Sequence, residues 1–227
     1  MTIPKLAVLD MAGTTVNDHG LVQQAAINTM KAITNETITM EDANKVMGIP
    51  KNIAFEQLCS VKKISIDNQT IDKLLKYFND ELENQYNTKG NLELMPFVEE
   101  LFEAMRKRGT KIYLNTGFNK KIAEIIVKQL DLKKMIDGFI GSDEVKKGRP
   151  HPDMILLAMK RAEVEYSHKV MKIGDTVSDL YEGFSAGCAW NIGVLTGAQT
   201  YNELLTAPYT QILNNLERVV ATFEKKK

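Results

Sequence analysis

Cysteine is almost missing. The 227 residues hold two, Cys59 and Cys188, which is no basis for a disulfide framework in a chain this size. A reducing, cytoplasmic setting is therefore expected. An excess of one charge is missing too. Lys and Arg number 29 and so do Asp and Glu, so neither a nucleic-acid partner nor a membrane surface is expected, since both need surplus positive charge. The one basic cluster, Lys225-Lys226-Lys227, reads as a solvated tail. Long apolar runs are also absent: nothing approaches the ~20 residues that span a bilayer. Lys5 and Asp10 interrupt the short run Leu6-Ala7-Val8-Leu9, which argues against a secretory leader. What remains is an ordinary globular composition, 44% hydrophobic and 26% charged. At roughly 150 residues per domain, the length suits a main domain with a smaller insert.

The opening Lys5-Leu6-Ala7-Val8-Leu9-Asp10 is a short apolar run ending on an acid and followed by Ala12-Gly13-Thr14. A buried parallel strand reads this way. Three later runs are similar, at 111–116, 169–175 and 188–197. Helical spacing lies between them, at Phe97, Leu101, Phe102 and Met105, at Ile122, Ile125, Ile126 and Leu130, and at Ile155, Leu156, Met159 and Ala162. Alternating strands and helices predict an α/β fold with a parallel sheet. Residues 20–88 break the alternation and carry only helical periodicity, as at Ile71, Leu74, Leu75, Phe78 and Leu82. We expect a core from residues 1–16 and 90–227, a helical insert at 17–89, and a return linker at 90–96.

In open parallel sheets, ligands bind beyond the carboxyl ends of the strands. Asp10, Thr116 and Asp175 fall at three such ends, so topology gathers them. Asp10, Asp175 and Asp179 would crowd several negative charges unless a cation sits among them, and hard oxygen donors suit Mg²⁺. Each acid alone has an ordinary role, Asp175 as a helix N-cap and Asp179 as a first-turn acid. Their combination with a strand-end acid and Gly13 favours a phosphoryl-transfer site.

Asp10-Met11-Ala12-Gly13-Thr14-Thr15, Thr116-Gly117, Arg149-Pro150 and Gly174-Asp175-Thr176-Val177-Ser178-Asp179 resemble the four ordered motifs of the haloacid dehalogenase superfamily. The resemblance implies a Rossmann-like core with an inserted helical cap. It implies Asp10 as nucleophile, Thr116 and the Gly117 amide on phosphate oxygens, and Arg149 offsetting charge on the transferring group. It also implies Mg²⁺ held by Asp10, the Ala12 carbonyl and Asp175, supported by Asp179. Ester-cleaving members usually carry a second acid where this chain has Ala12. That acid protonates the leaving alcohol, so its absence points to a different leaving group.

Carbon is one such group, provided a lysine imine accepts the electrons of the broken P–C bond. Val46-Met47-Gly48-Ile49-Pro50-Lys51 is similar to the Met-Gly-x-x-Lys segment of the phosphonatases, which also carry Ala after the nucleophile. Their resemblance nominates Lys51 as the imine-forming amine. Met47, Gly48, Gly13 and Phe118 are then substrate-chamber residues, and a small carbonyl phosphonate, or a phosphate, is the substrate. It also suggests a homodimer. A solvated lysine at a helix start is the ordinary alternative for Lys51. Departures from the phosphonatase pattern fall on the chamber: Asn52-Ile53 replace Asp-His, Phe118 replaces Tyr, and Leu21 replaces a small polar residue. Two competing readings stay open: a phosphatase for a small metabolite, and a degenerate binding protein. His19, His151 and His168 read as surface residues, both cysteines as buried hydrophobes, and Asp137, Asp143 and Glu144 as loop acids near enough to assist a metal.

Overall fold

The computed structural model describes residues 3–224, so the Lys225–Lys227 cluster lies outside the described residues. Strand β1 (Leu6–Asp10) leads through β2 (Val16–Asn17) into four helices, α1 (Leu21–Thr34), α2 (Met40–Lys45), α3 (Lys51–Val61) and α4 (Asn68–Asn87). The chain returns through β3 (Glu93–Leu94), α5 (Val98–Lys107), β4 (Lys111–Asn115), α6 (Lys120–Gln129) and β5 (Gly138–Ile140). It ends with α7 (Asp153–Ala162), β6 (Val170–Gly174), α8 (Val177–Ala186), β7 (Trp190–Val194), α9 (Tyr201–Leu204), β8 (Gln211–Leu213) and α10 (Glu217–Glu224).

Six strands form one sheet in the order β5-β4-β1-β6-β7-β8, and every pairing in it is parallel. All five residues of β1 and of β6 are buried, as strands covered on both faces require. The four expected strands are present. Two more, β5 and β8, were not expected: at three residues each, they are too short to show periodicity.

Between β2 and β3 every regular element of the described chain is a helix. Helix α4 buries Leu74, Phe78, Leu82 and Tyr86, one residue per turn along a single stripe, and each fully buried Leu or Phe contributes about 1.5–3 kcal/mol. Asp67 starts the helix by accepting from Thr70 N at 2.8 Å. The expected return linker contains a strand: Val16 and Asn17 pair antiparallel with Leu94 and Glu93, so both crossings into the insert run side by side. One apolar cluster then joins Phe55, Phe78 and Met30 of the insert to Leu9, Leu114 and Ile173 of the sheet. Leu156 departs from its expected role, being 47% exposed on α7.

Candidate active site

Parallel register aligns the strand ends. Asp10 pairs with Asn115 across β1 and β4, and β6 stops at Gly174, immediately before Asp175. Helix α8 is capped by Thr176, so the ordinary alternative of Asp175 as its N-cap does not apply. Thr176 Oγ1 and Asp179 exchange the reciprocal bonds of a capping box. Asp175 is thereby free for the site, where it accepts from Thr14 Oγ1 at 3.0 Å and Ala198 N at 2.8 Å. Gly13, at φ 88°, lies so close to Asp175 that a Cβ there would come within 2.6 Å of its carboxylate.

Asp10, Asp175 and Asp179 bring carboxylate oxygens within 4.8 Å of one another, and all three are buried. Burial pushes the Asp10 carboxyl up to about 6 against the pull of Arg149. Burial, then the neighbouring Asp10 and Asp179 charges, push Asp175 up to about 8. Burial also opposes the Asp179 charge, but Arg149 and Lys172 outweigh it and hold that carboxyl below its ordinary value. Asp179 Oδ1 lies 3.0 Å from Arg149 and 2.9 Å from Lys172, yet outside hydrogen-bond angles. Counting Glu182, four buried carboxyl groups face two buried cations, so full ionisation would leave two negative charges uncompensated. A divalent cation with a preference for hard oxygen donors fits this set, as Mg²⁺ does.

Arg149 reaches the site from its loop and is 4% exposed. Its Nη1 lies 2.6 Å from Asp10 Oδ1. Burial opposes its charge, but Asp10, Asp179 and Glu182 keep it firmly protonated. Thr116 is also buried at the strand tip, its Oγ1 accepting from Phe118 N at 3.2 Å.

A cavity of about 280 Å³ opens over these groups, lined by Asp10, Ala12, Gly13, Thr116, Gly117, Phe118, Arg149 and Asp175 from the sheet side. Met47, Gly48 and Lys51 line it from the insert. Gly48 takes φ 77°, and a Cβ there would sit 2.7 Å from Thr176 Cβ. The insert thus rests directly on the loop that carries Asp175. Lys51 opens α3 and places Nζ 5.7 Å from the Phe78 ring centroid and 5.8 Å from that of Phe118. Phe118 in turn packs edge-on against Tyr86, whose hydroxyl donates to Asp18 at 2.7 Å. Burial, aided by the Arg149 charge, lowers the Lys51 ammonium to about 8 against the pull of Asp10 and Asp18. Among the described residues, Lys51 has no ion-pair partner.

The structure therefore brings every nominated residue except Asp179 onto one cavity, and it places Asp179 directly behind Arg149. Asp137 and Asp143 lie outside the Asp10, Asp175 and Asp179 cluster and accept from Ile112 N and Lys120 N. Glu144 pairs with Arg161. Cys188 is half-buried, and burial pushes its thiol up to about 12, which removes it as a nucleophile. Sequence reasoning missed Asn115, Lys172 and Glu182, which surround Arg149. Lys172 did leave a signal: a lone cation inside an otherwise apolar strand run.

The sequence profile of the haloacid dehalogenase-like hydrolases matches residues 7–192. The chain is 31% identical over 203 residues to a phosphonoacetaldehyde hydrolase of Bacillus cereus, covering 84% of this chain and 75% of that protein. It is also 31% identical over 208 residues to a bifunctional phosphonoacetaldehyde hydrolase/aminoethylphosphonate transaminase of Clostridioides difficile. That match covers 86% of this chain but only 32% of the bifunctional protein. Among solved structures, the fold is similar to that of a phosphonoacetaldehyde hydrolase like protein from Oleispira antarctica, with TM-score 0.82, 21% identity and coverage of 98% and 93% of the two chains. A predicted phosphatase from Clostridium acetobutylicum superposes with TM-score 0.84 at 18% identity, covering 97% and 98%. At these identities the structural likeness speaks for the fold alone.

Proposed function

Since the chain belongs to the haloacid dehalogenase-like hydrolase family, we propose that it hydrolyses the P–C bond of phosphonoacetaldehyde or a closely related carbonyl phosphonate. The observation that carries this reading is Lys51: an unpaired amine, lowered to about 8, on the same cavity as Asp10, in a site with Ala12 where an ester hydrolase would hold its acid. With that value, about one amine in ten is neutral at pH 7, against about one in three thousand for an ordinary lysine.

The neutral Lys51 amine adds to the substrate carbonyl, and loss of water leaves a protonated imine. Asp10 then attacks phosphorus. The P–C bonding pair moves onto the α-carbon and into the imine, so an enamine departs and no carbanion forms. Protonation of the enamine and hydrolysis of the imine release the aldehyde or ketone and restore the lysine. Water hydrolyses the aspartyl phosphate, giving phosphate and free Asp10. No acid beside Asp10 is needed for the leaving group, which accounts for Ala12.

Thr116 and the Gly117 amide orient the phosphoryl oxygens, and Arg149 holds Asp10 in place while lowering the repulsion between two anions. Asp10, Asp175 and Asp179, with the Ala12 carbonyl, would hold Mg²⁺, which when bound supplies the positive charge that lets an anionic phosphonate approach a carboxylate. Met47, Gly48 and Phe118 exclude water from the chamber.

Borohydride reduction in the presence of phosphonoacetaldehyde tests the proposal. A covalent adduct on Lys51 is expected, together with phosphate release that Lys51→Ala reduces on the order of 1000-fold. Efficient release from phosphate esters with no adduct, and with full activity in Lys51→Ala, would overturn it in favour of a phosphatase.

A further inference from the structure

We infer that Lys172 and Glu182 are positioning residues for phosphoryl transfer, forming a closed ring of alternating charge that aims one nitrogen of Arg149 at Asp10. The inference rests on Asp10 being the nucleophile, as proposed above.

The ring is read directly from the distances. Arg149 Nη1 lies 3.0 Å from Asp179 Oδ1, which lies 2.9 Å from Lys172 Nζ. Lys172 Nζ lies 3.1 Å from Glu182 Oε2, which returns to Arg149 Nε at 3.2 Å. Two cations alternate with two anions, so the ring is neutral by itself. Asn115 ties it together. Its Oδ1 accepts from Arg149 Nη2 at 2.8 Å and from Lys172 Nζ at 2.7 Å, and its Nδ2 donates to both Glu182 oxygens at 2.9 Å.

The consequence for Arg149 is geometric. Glu182 occupies Nε, while the Asn115 side chain and backbone carbonyl occupy Nη2. Only Nη1 remains to face the site, and it meets Asp10. A planar guanidinium anchored through two of its nitrogens cannot swing. Lys172 and Glu182 themselves never reach substrate: both are fully buried, and neither lines the cavity.

Stability alone does not account for the pair. A buried ion pair is commonly matched or bettered by apolar residues of similar volume, whereas removing one partner strands a buried charge. That asymmetry separates positioning from packing. Lys172→Met alone should lower both Tm and kcat, because Asp179 and Glu182 lose their shared cation. The double variant Lys172→Met/Glu182→Leu removes the cation and one anion together, so its Tm should recover towards wild type. Its kcat should stay on the order of 100-fold low, the effect of a small misplacement at a reacting group, with KM within about threefold. Recovery of kcat along with Tm would overturn the inference.

Should the double variant fail to fold, Glu182→Gln decides: it keeps the shape and an acceptor for Arg149 Nε but loses the charge. A kcat at least about tenfold low at similar KM is expected, and unchanged kcat overturns the role. A second readout needs no substrate. With Mg²⁺ present, fluoroberyllate mimics the phosphorylated aspartate, and the double variant or Glu182→Gln should bind it at least about tenfold more weakly than wild type. Wild type that binds fluoroberyllate but leaves phosphonoacetaldehyde intact would sink the substrate proposal and leave this comparison decisive. Wild type that binds no fluoroberyllate would overturn the inference itself.

Discussion

The two walls of the cavity are built on opposite rules. On the sheet side, Asp10 and Arg149 line the cavity and interlock in ion pairs with Asp179, Lys172 and Glu182 behind them, which β6 and α8 carry. On the insert side stands one amine, Lys51, with two phenyl rings for company. The first arrangement specifies position, since a side chain held at several atoms has one place to be. The second specifies chemical state, since a cation taken from water without a partner gives up its proton more readily. In the proposed reaction, phosphoryl transfer needs the former and imine formation the latter, so each region would supply what the other's construction forbids.

The most severe way to break this division is Asp10→Asn. Phosphate release should fall on the order of 10⁴-fold or more, as when a covalent nucleophile is removed. Borohydride with phosphonoacetaldehyde should still label Lys51, because imine formation precedes and does not require attack on phosphorus. Loss of labelling by mass spectrometry would mean that the two walls do not act separately.

A smaller effect probes how the walls meet. Gly48→Ala introduces a methyl against Thr176 and places a side chain at φ 77°, a backbone region that non-glycine residues rarely adopt. The insert must then sit farther from the strand tips. A fall on the order of 100-fold in kcat/KM is expected, with circular dichroism and Tm showing the protein folded. Activity within about threefold of wild type would show that the Gly48–Thr176 contact does not set the distance between Lys51 and Asp10.

The sheet-side wall was largely legible in the sequence, and the reason is local. Asp10, Thr116 and Asp175 each end an apolar run, and parallel topology carries run ends to one edge without further information. The pairing of Lys172 with Glu182 was not legible because its meaning is tertiary. A lysine within a strand and a glutamate three residues after Asp179 become partners only when β6 and α8 pack face to face. Phe78 is a similar case: its helical spacing marked it as core, and nothing in that pattern tells which ring will sit beside Lys51. The short strands β5 and β8 were missed for want of length, and the β2–β3 pairing because two residues cannot declare an alternation.

The gentlest test concerns stability alone. The Lys51 ammonium is lowered from 10.5 to about 8, so the folded state disfavours the charged form. The sign follows from linkage: the penalty is complete below pH 8, shrinks between pH 8 and 10.5, and vanishes above. Lys51→Met keeps the length and removes the charge, so it should be the more stable protein at pH 7. After allowance for solvent reaching the half-buried amine, the gain is on the order of 1–2 kcal/mol, or about 3–6 °C in Tm for a chain of this length. The advantage over wild type should close as melts are repeated towards pH 10.5. An equal or lower Tm for Lys51→Met at pH 7 would mean that the amine is well hydrated there. A hydrated amine remains protonated near neutrality, leaving the insert with nothing to offer a carbonyl.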